Sequence, residues 1–324
     1  MKRGLVLGKF MPLHSGHIQL IDFAVQHCDE LIVLICVSDQ EPITGDLRFK
    51  WVQESFKNNN KIKPQLFYYN EELLPNTSES SEKVSLLWAE FLKTYLPKID
   101  VFFASEAYAV YMGMFLECEY LIYDKERKIV PVSSTQIRNS PFTYWDFIPY
   151  AVKPFFTKKI CLYGSESTGK STLTLKLADY FETVAVPEMA REILEHTYEC
   201  TPAHLMQIAD LHAKTINEKI KEANKFLFVD TDVNITRSYS RFLFDSELRT
   251  PSWIDENNKF DLYLYLDVDA PYVQDGTRIT QKDRDLLNEY HKQELISRGI
   301  RFELLQGNWD EKFSKAIKLV EKLV

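Results

Sequence analysis

Two short stretches combine residue types and spacings that can handle phosphate. GSESTGKS, residues 164–171, has the form G-x-x-x-x-G-K-[ST] and stands between the apolar run KICLYG and the helical pattern STLTLKLADYF. In such a loop glycines let the main-chain amides close around phosphate, a lysine reaches the β- and γ-phosphates, and a hydroxyl sits on magnesium. Gly164, Ser167, Thr168, Gly169, Lys170, Ser171 and Thr172 are therefore expected to hold ATP, with Ser171 also on Mg²⁺. The second stretch is GKFMPLHSGH, residues 8–17, with His14 and His17 three apart. Zinc ligands on a helix are usually spaced by four and need a third partner, and no cysteine or carboxylate stands nearby. Two imidazoles at a helix N-terminus, beside main-chain amides, make an anion cradle instead. Far along the chain, VSSTQIRNSP, residues 132–141, adds the hydroxyls of Ser134 and Thr135 and the guanidinium of Arg138 as a second clamp.

Further candidates cluster in the second half. FLFVDTD closes an apolar strand on Asp230, where a magnesium-holding acid of a P-loop enzyme stands, with Asp232 as its competitor and helix capping as the ordinary alternative. Glu188 and Arg191, in VPEMARE, follow a strand end where small-substrate kinases place an acceptor-binding acid; the plain alternative is a solvated helix start. DGTRITQKDRD, residues 275–285, carries Arg278 and Arg284 and reads as a mobile lid that brings arginines onto the transferring phosphate, or else as a solvated loop. No N-K-x-D guanine motif is present in this half, which favours a nucleotide or nucleoside kinase over a GTPase.

The elements that must position these residues come in two similar series. Each starts with a short apolar strand running into a Gly-containing turn, and each continues as apolar runs alternating with helical patterns, the sign of parallel α/β sheets. The 324 residues suit two domains, expected at 1–145 and 146–324. Between them residues 141–156, rich in proline and aromatics, read as an ordered connector packed against both. A polar stretch at 70–82 reads as a surface loop leading to a helix near 84–95. The net charge of -8 argues against a large nucleic-acid surface. Five cysteines without a CxxC pair fit reduced thiols and a cytoplasmic protein. No apolar run is long enough for a membrane span, and the apolar run between the basic start and Lys9 is too short for a signal peptide.

HxGH paired with a later SSTxIR resembles the Rossmann-like nucleotidyltransferase superfamily. The variant G-K-F-x-P-x-H, continued by VSSTQIRNSPFTYWDFIPYAVKPFF and then GSESTGKS, is similar to the NadR-type bifunctional proteins; EMARE, FVDTD and DGTR fall where their kinase half has comparable segments. The resemblance runs from Gly4 to about Val320. It implies an α/β fold of two parallel-sheet domains, an HxGH nucleotidyltransferase domain followed by a P-loop kinase domain. It further implies two ATP- and Mg²⁺-dependent steps. The second half would phosphorylate nicotinamide riboside. The first half would transfer AMP to the nicotinamide mononucleotide so formed, giving NAD and pyrophosphate. His14, His17, Arg138, Lys170, Asp230 and Glu188 would be the catalytic groups; Gly8, Lys9, Phe10, Ser134 and Thr135 would hold ATP in the first half; Arg48 and Trp51, in GDLRFKWV, would help hold the nicotinamide nucleotide, although a surface arginine and a core tryptophan are the plain alternatives. Some members carry an additional amino-terminal helix-turn-helix and act as repressors; the chain starts almost at its first strand, so that domain and a DNA partner are not expected. Self-association stays open. Two other readings remain: a kinase and adenylyltransferase for another cofactor precursor, or a nucleotide-sensing regulator without turnover.

Overall fold

The computed structural model describes residues 1–324 except 40, 77–79, 195–198 and 269–279. Runs dense in Leu, Ile, Val and Phe form the strands; the inner ones are buried on both faces, the pattern of parallel sheets covered by helices on each side, and the edge strands are partly exposed. In the first unit these are β1 (Arg3–Gly8), β2 (Glu30–Val37), β3 (Ile62–Tyr68), β4 (Val101–Ala104) and β5 (Glu119–Ile122), all paired in parallel in the order β3-β2-β1-β4-β5. In the second they are β6 (Lys158–Tyr163), β7 (Ala185–Val186), β8 (Phe226–Asp230), β9 (Leu262–Leu266) and β10 (Glu303–Leu305), again parallel, in the order β10-β9-β6-β8-β7. In each sheet the first strand of the unit is central, with neighbours added on one side and then on the other. Ligands of such sheets bind beyond the carboxyl ends of the central strands, where the winding reverses.

The units divide between Lys153 and Pro154, later than the expected 145/146. The reason is local bonding. The Ser15 hydroxyl donates to the Phe147 carbonyl (3.0 Å) and the Tyr150 hydroxyl to the Glu54 carbonyl (2.6 Å), so this stretch belongs to the first unit. The helix expected near 84–95 runs Glu82–Tyr95 and is capped by the Ser81 side chain, which accepts from the Val84 amide.

β6 leaves its sheet at Gly164, which has φ +132 and lies under β9. A Cβ there would stand 2.5 Å from the Leu266 carbonyl oxygen. Gly299 also has a positive φ (+67) but open space around it. Gly164→Ala should therefore cost about 2–4 kcal/mol, against about 1 kcal/mol for Gly299→Ala, in urea unfolding followed through the second unit. Equal losses would mean that the close approach to β9 is not what requires glycine.

Candidate active sites

In the first unit, β1 ends at Gly8 and the chain passes over its carboxyl edge into the helix Ser15–Val25. His14 is the N-cap of that helix, and its Nδ1 accepts from the Gly16 amide at 3.1 Å. The proton of the neutral ring is therefore on Nε2, available to a ligand. Gly16 permits this turn, since a Cβ would lie 2.9 Å from His14 Cε1. The His17 ring stacks on His14 with centroids 3.8 Å apart, and its Nδ1 is buried without a partner among the described residues. Two faces stacked in this way do not converge on one metal ion. Burial lowers the His14 pKa to about 4, helped by the Arg127 charge. Burial also pushes His17 well below its ordinary value, with further contributions from His14 and Arg127. At neutral pH both rings are uncharged hydrogen-bonding groups.

The second motif docks onto the first. The helix Ser134–Asn139 begins at Ser133, in a capping box with Gln136. From it the Arg138 guanidinium donates to the Met11 carbonyl and, at 3.1 Å, to the Thr135 hydroxyl, while the Ser134 hydroxyl donates to the Pro12 carbonyl at 3.1 Å. The structure thus brings His14, His17, Ser134, Thr135 and Arg138 together, with Thr135 exposed and Arg138 half-buried. Lys9 stands at the same edge, ion-paired with Glu41 (2.8 Å) and Glu71 (3.4 Å). Amides at a helix start, two imidazoles and two cations form an arrangement that can take a polyphosphate.

Three expectations in this unit need correction. Arg48 is fully buried. It donates to the carbonyls of Lys9 (2.9 Å) and Cys36 (3.3 Å) and pairs with Glu41 at 2.6 Å, so it braces the loop from within. Trp51, one turn on, is a core residue at 3% exposure. Phe10 is buried, its ring edge-on to His17 at 4.9 Å, so only its main chain is placed to meet a ligand. Glu41 had no motif to mark it. Burial alone would raise its pKa, but hydrogen bonds from Lys9 and Arg48 outweigh that and hold it low.

In the second unit the loop between β6 and the helix Lys170–Tyr180 opens onto a cavity of about 680 Å³. Ser167, Gly169, Lys170, Ser171 and Thr172 line it. Gly164 and Thr168 do not: the first sets the loop's departure, and the Thr168 hydroxyl is spent on the Ser165 carbonyl at 2.8 Å. The Lys170 ammonium donates to the same carbonyl at 2.9 Å. Register places the acid beside the loop, because Leu162 of β6 pairs with Asp230 of β8 and its carbonyl accepts from the Thr231 amide (3.0 Å). Thr231 follows at φ +69, a conformation costing a β-branched residue about 1–3 kcal/mol, and it lines the cavity.

Asp230 and Asp232 separate clearly. Asp232 caps the helix Val233–Phe244, accepting from the amides of Asn234 (2.8 Å) and Ile235 (3.1 Å) and from the Tyr263 hydroxyl (2.7 Å). Its carboxylate is saturated by the fold, which removes Asp232 as the competitor of Asp230 and as a ligand-binding residue. Both Asp230 carboxylate oxygens are buried and have no hydrogen-bond partner among the described residues. Burial, then the Glu188 charge, raises its pKa to about 6, against the pull of Lys170 and the nearby Ser171 hydroxyl. Glu188 faces the cavity and pairs with the exposed Arg191 at 3.5 Å. Glu166, His212, Thr236 and Tyr239 line the cavity too. None carries a motif in the sequence; His212 stands at helical spacing from Leu205 and Ile208, a pattern that does not distinguish it from a core position.

The lid arginines fare differently. Arg278 lies outside the described residues. Arg284 belongs to the helix Gln281–Ser297, capped by Thr280, and is buried beside Asp285 (3.3 Å), not on a loop over the cavity.

Replacing Arg48 by Leu removes the donors to two buried carbonyls and leaves the Glu41 carboxylate with Lys9 and the Ser38 amide (3.2 Å). A loss of about 3–5 kcal/mol in urea unfolding is expected. A loss under about 1 kcal/mol would return Arg48 to the ligand side.

The chain matches two family models, "Cytidylyltransferase-like" over residues 5–140 and "AAA domain" over residues 159–312. It is 30% identical over 349 residues to the trifunctional NAD biosynthesis/regulator protein NadR of Salmonella typhimurium, covering 99% of this chain and 83% of that protein. The chain is also 28% identical over 147 residues to nicotinamide-nucleotide adenylyltransferase of Saccharolobus solfataricus, covering 44% of this chain and 77% of that one. A crystal structure of NadR protein in complex with NR shares the fold, with a TM-score of 0.78 at 22% identity over 99% of this chain and 96% of that one. A nucleotidyltransferase-type sheet and a P-loop sheet, joined in this order and matched end to end by a relative at that identity, place the chain in the NadR family.

Proposed function

We propose that the chain is a bifunctional NAD-salvage enzyme that phosphorylates nicotinamide riboside with ATP and then adenylylates the mononucleotide with a second ATP. The observation that carries this is the presence of two separate phosphate-handling edges on one chain. One has an HxGH loop held by Ser134 and Arg138; the other has a P-loop facing an unpartnered carboxylate. The relatives' roles, NAD biosynthesis and nicotinamide-nucleotide adenylyl transfer, support the substrates.

In the kinase step Lys170 leaves the Ser165 carbonyl for the β- and γ-phosphates, and the loop amides bind the remaining oxygens. Glu188, at the cavity wall, accepts the proton of the riboside 5′-hydroxyl as its oxygen bonds to the γ-phosphorus and ADP leaves. Asp230 and Ser171 fit Mg²⁺, because the orphaned oxygens and the hydroxyl form the oxygen-donor set such an ion takes with phosphates. When bound, the ion neutralises charge on the transferring group. In the adenylyl step a phosphate oxygen of the mononucleotide bonds to the ATP α-phosphorus and pyrophosphate leaves. His14 Nε2–H, His17, Lys9, Arg138 and the helix-start amides of Ser15–Val25 hold the departing charge, so positioning and electrostatics supply the rate.

Purified protein given nicotinamide riboside, ATP and Mg²⁺ should form the mononucleotide and then NAD, followed by chromatography of products. Binding without turnover would overturn the reading. Lys170→Ala should slow the first step by about 10²–10³ and spare the second, and His17→Ala the reverse. Loss of both activities from either change in a folded protein would refute two independent sites.

Asp230 adds a pH test. Its folded pKa of about 6 exceeds the ordinary 3.8, so the folded state holds a proton that the unfolded chain releases. The stability this lends to the ligand-free protein is present below about pH 4 and is lost as pH rises through about 6. Activity runs the other way: kinase kcat/KM for Mg-ATP should fall below pH 6 as the carboxylate protonates, and Asp230→Asn should remove that activity trend while only weakening the stability trend, which buried Asp232, likewise raised to about 6, still contributes. A profile flat from pH 5 to 7 would show that Asp230 is not required ionised.

A further inference from the structure

The phosphate loop of the second unit is held in a conformation that its own residues do not favour. Gly164 and Gly169 have φ of +132 and +90, and between them Ser167, which has a side chain, stands at +61. Backbone of this kind persists only where its surroundings hold it. The bonds inside the loop converge on one residue. The Ser165 carbonyl accepts from the Thr168 hydroxyl (2.8 Å) and from the Lys170 ammonium (2.9 Å), so the direction of that carbonyl sets where Lys170 is kept before it turns to phosphate. Ser165 is fully buried, and its hydroxyl reaches out of the loop, donating to Asn288 Oδ1 at 3.0 Å. Asn288 stands 123 residues further on, in the helix Gln281–Ser297. It is buried, and the same oxygen accepts from the Tyr265 hydroxyl of β9 at 2.7 Å. A leucine would fill this place with no polar group to satisfy, and the helix already packs on the sheet through Leu295, buried among Tyr163 and Tyr265.

We propose that Asn288 is a positioning residue of the kinase site: it fixes Ser165, and through the Ser165 carbonyl it holds the phosphate loop and Lys170 ready for the phosphates of ATP. This rests on the kinase reading above. Asn288 does not line the cavity, so it acts through the loop and not on a substrate. The bond to Ser165 is buried on both sides, where no water competes for it. The loop amides hold phosphate in the ground state and in the transition state alike. Loss of the anchor therefore weakens both, and shows in KM for Mg-ATP and not in kcat.

The test measures phosphoryl transfer from Mg-ATP to nicotinamide riboside by the intact chain, with adenylyl transfer to the mononucleotide as the control on the first unit. Asn288→Leu should raise KM for Mg-ATP by about 10-fold and leave kcat within about threefold of wild type. Ser165→Ala should do the same, and the double variant should be no worse than either, because each change removes the same bond. Tyr265→Phe deletes the other donor to the Asn288 oxygen without touching the loop. It should lower the melting temperature yet leave KM for Mg-ATP within about twofold. Adenylyl transfer should be unchanged throughout. A wild-type KM in Asn288→Leu and Ser165→Ala overturns the proposal. So do losses that add in the double variant, or a Tyr265→Phe variant whose KM rises as far as theirs. Should Asn288→Leu not fold, Ser165→Ala set against Tyr265→Phe decides. A wild type that phosphorylates no riboside refutes the kinase reading alone. The anchor is then judged by the part of Mg-ATP binding that Lys170→Ala abolishes, measured by calorimetry, which Ser165→Ala and Asn288→Leu should weaken by the same factor.

Discussion

Every strand of both sheets runs parallel to its neighbours, so all carboxyl ends in a sheet share one edge. That constraint sets where chemistry can happen. A chain leaving a central strand there must turn and start a helix, and the first amides of that helix have no partner inside it. β1 and β6 both do this, into Ser15–Val25 and Lys170–Tyr180. The remaining groups arrive by neighbouring routes along the same edge. In the first unit Ser134 and Arg138 are fastened to the carbonyls of Pro12 and Met11; in the second, strand register puts Asp230 opposite Leu162.

The cost of burying polar groups separates framework from function. Asp230 and Asp232 are two residues apart and equally buried. Asp232 is saturated by two amides and a tyrosine hydroxyl, and a ligand has nothing to add. Burial raises both carboxyls to about 6, but Asp230 has no hydrogen-bond partner among the described residues for either oxygen, so a cation or a proton relieves it. The same contrast holds for arginines. Arg48 spends its donors on main-chain carbonyls and Glu41 in the core, whereas Arg138 is half-exposed beside the histidines. The histidines differ from a cationic clamp: burial and stacking keep both neutral, and His14 is committed to one tautomer by the Gly16 amide.

The fold class, all ten described strands and the loops that face phosphate were legible in the chain, because parallel strands are continuous apolar runs and phosphate loops have fixed glycine spacing. The domain division was placed too early, since proline and aromatic content does not reveal that Ser15 and Glu54 bind residues 147–150. Arg48, Trp51 and Phe10 were assigned to ligands through the family resemblance, and Asp232 through its place at a strand end. Residue type cannot tell which face of an element is buried or whether its donors are already spent.

Local pattern therefore determined what kinds of groups this protein has and where along the chain they stand, because glycine spacing, helix starts and apolar period are properties of neighbouring residues. Only the tertiary structure decided which of those groups are free to act. Glu41 with Lys9, His212 with Asp230 and the docking of Arg138 on Met11 join residues distant in sequence. Their hydrogen bonds and desolvation exist only once the sheets have packed, and these set the charge of each group and what it can still bind.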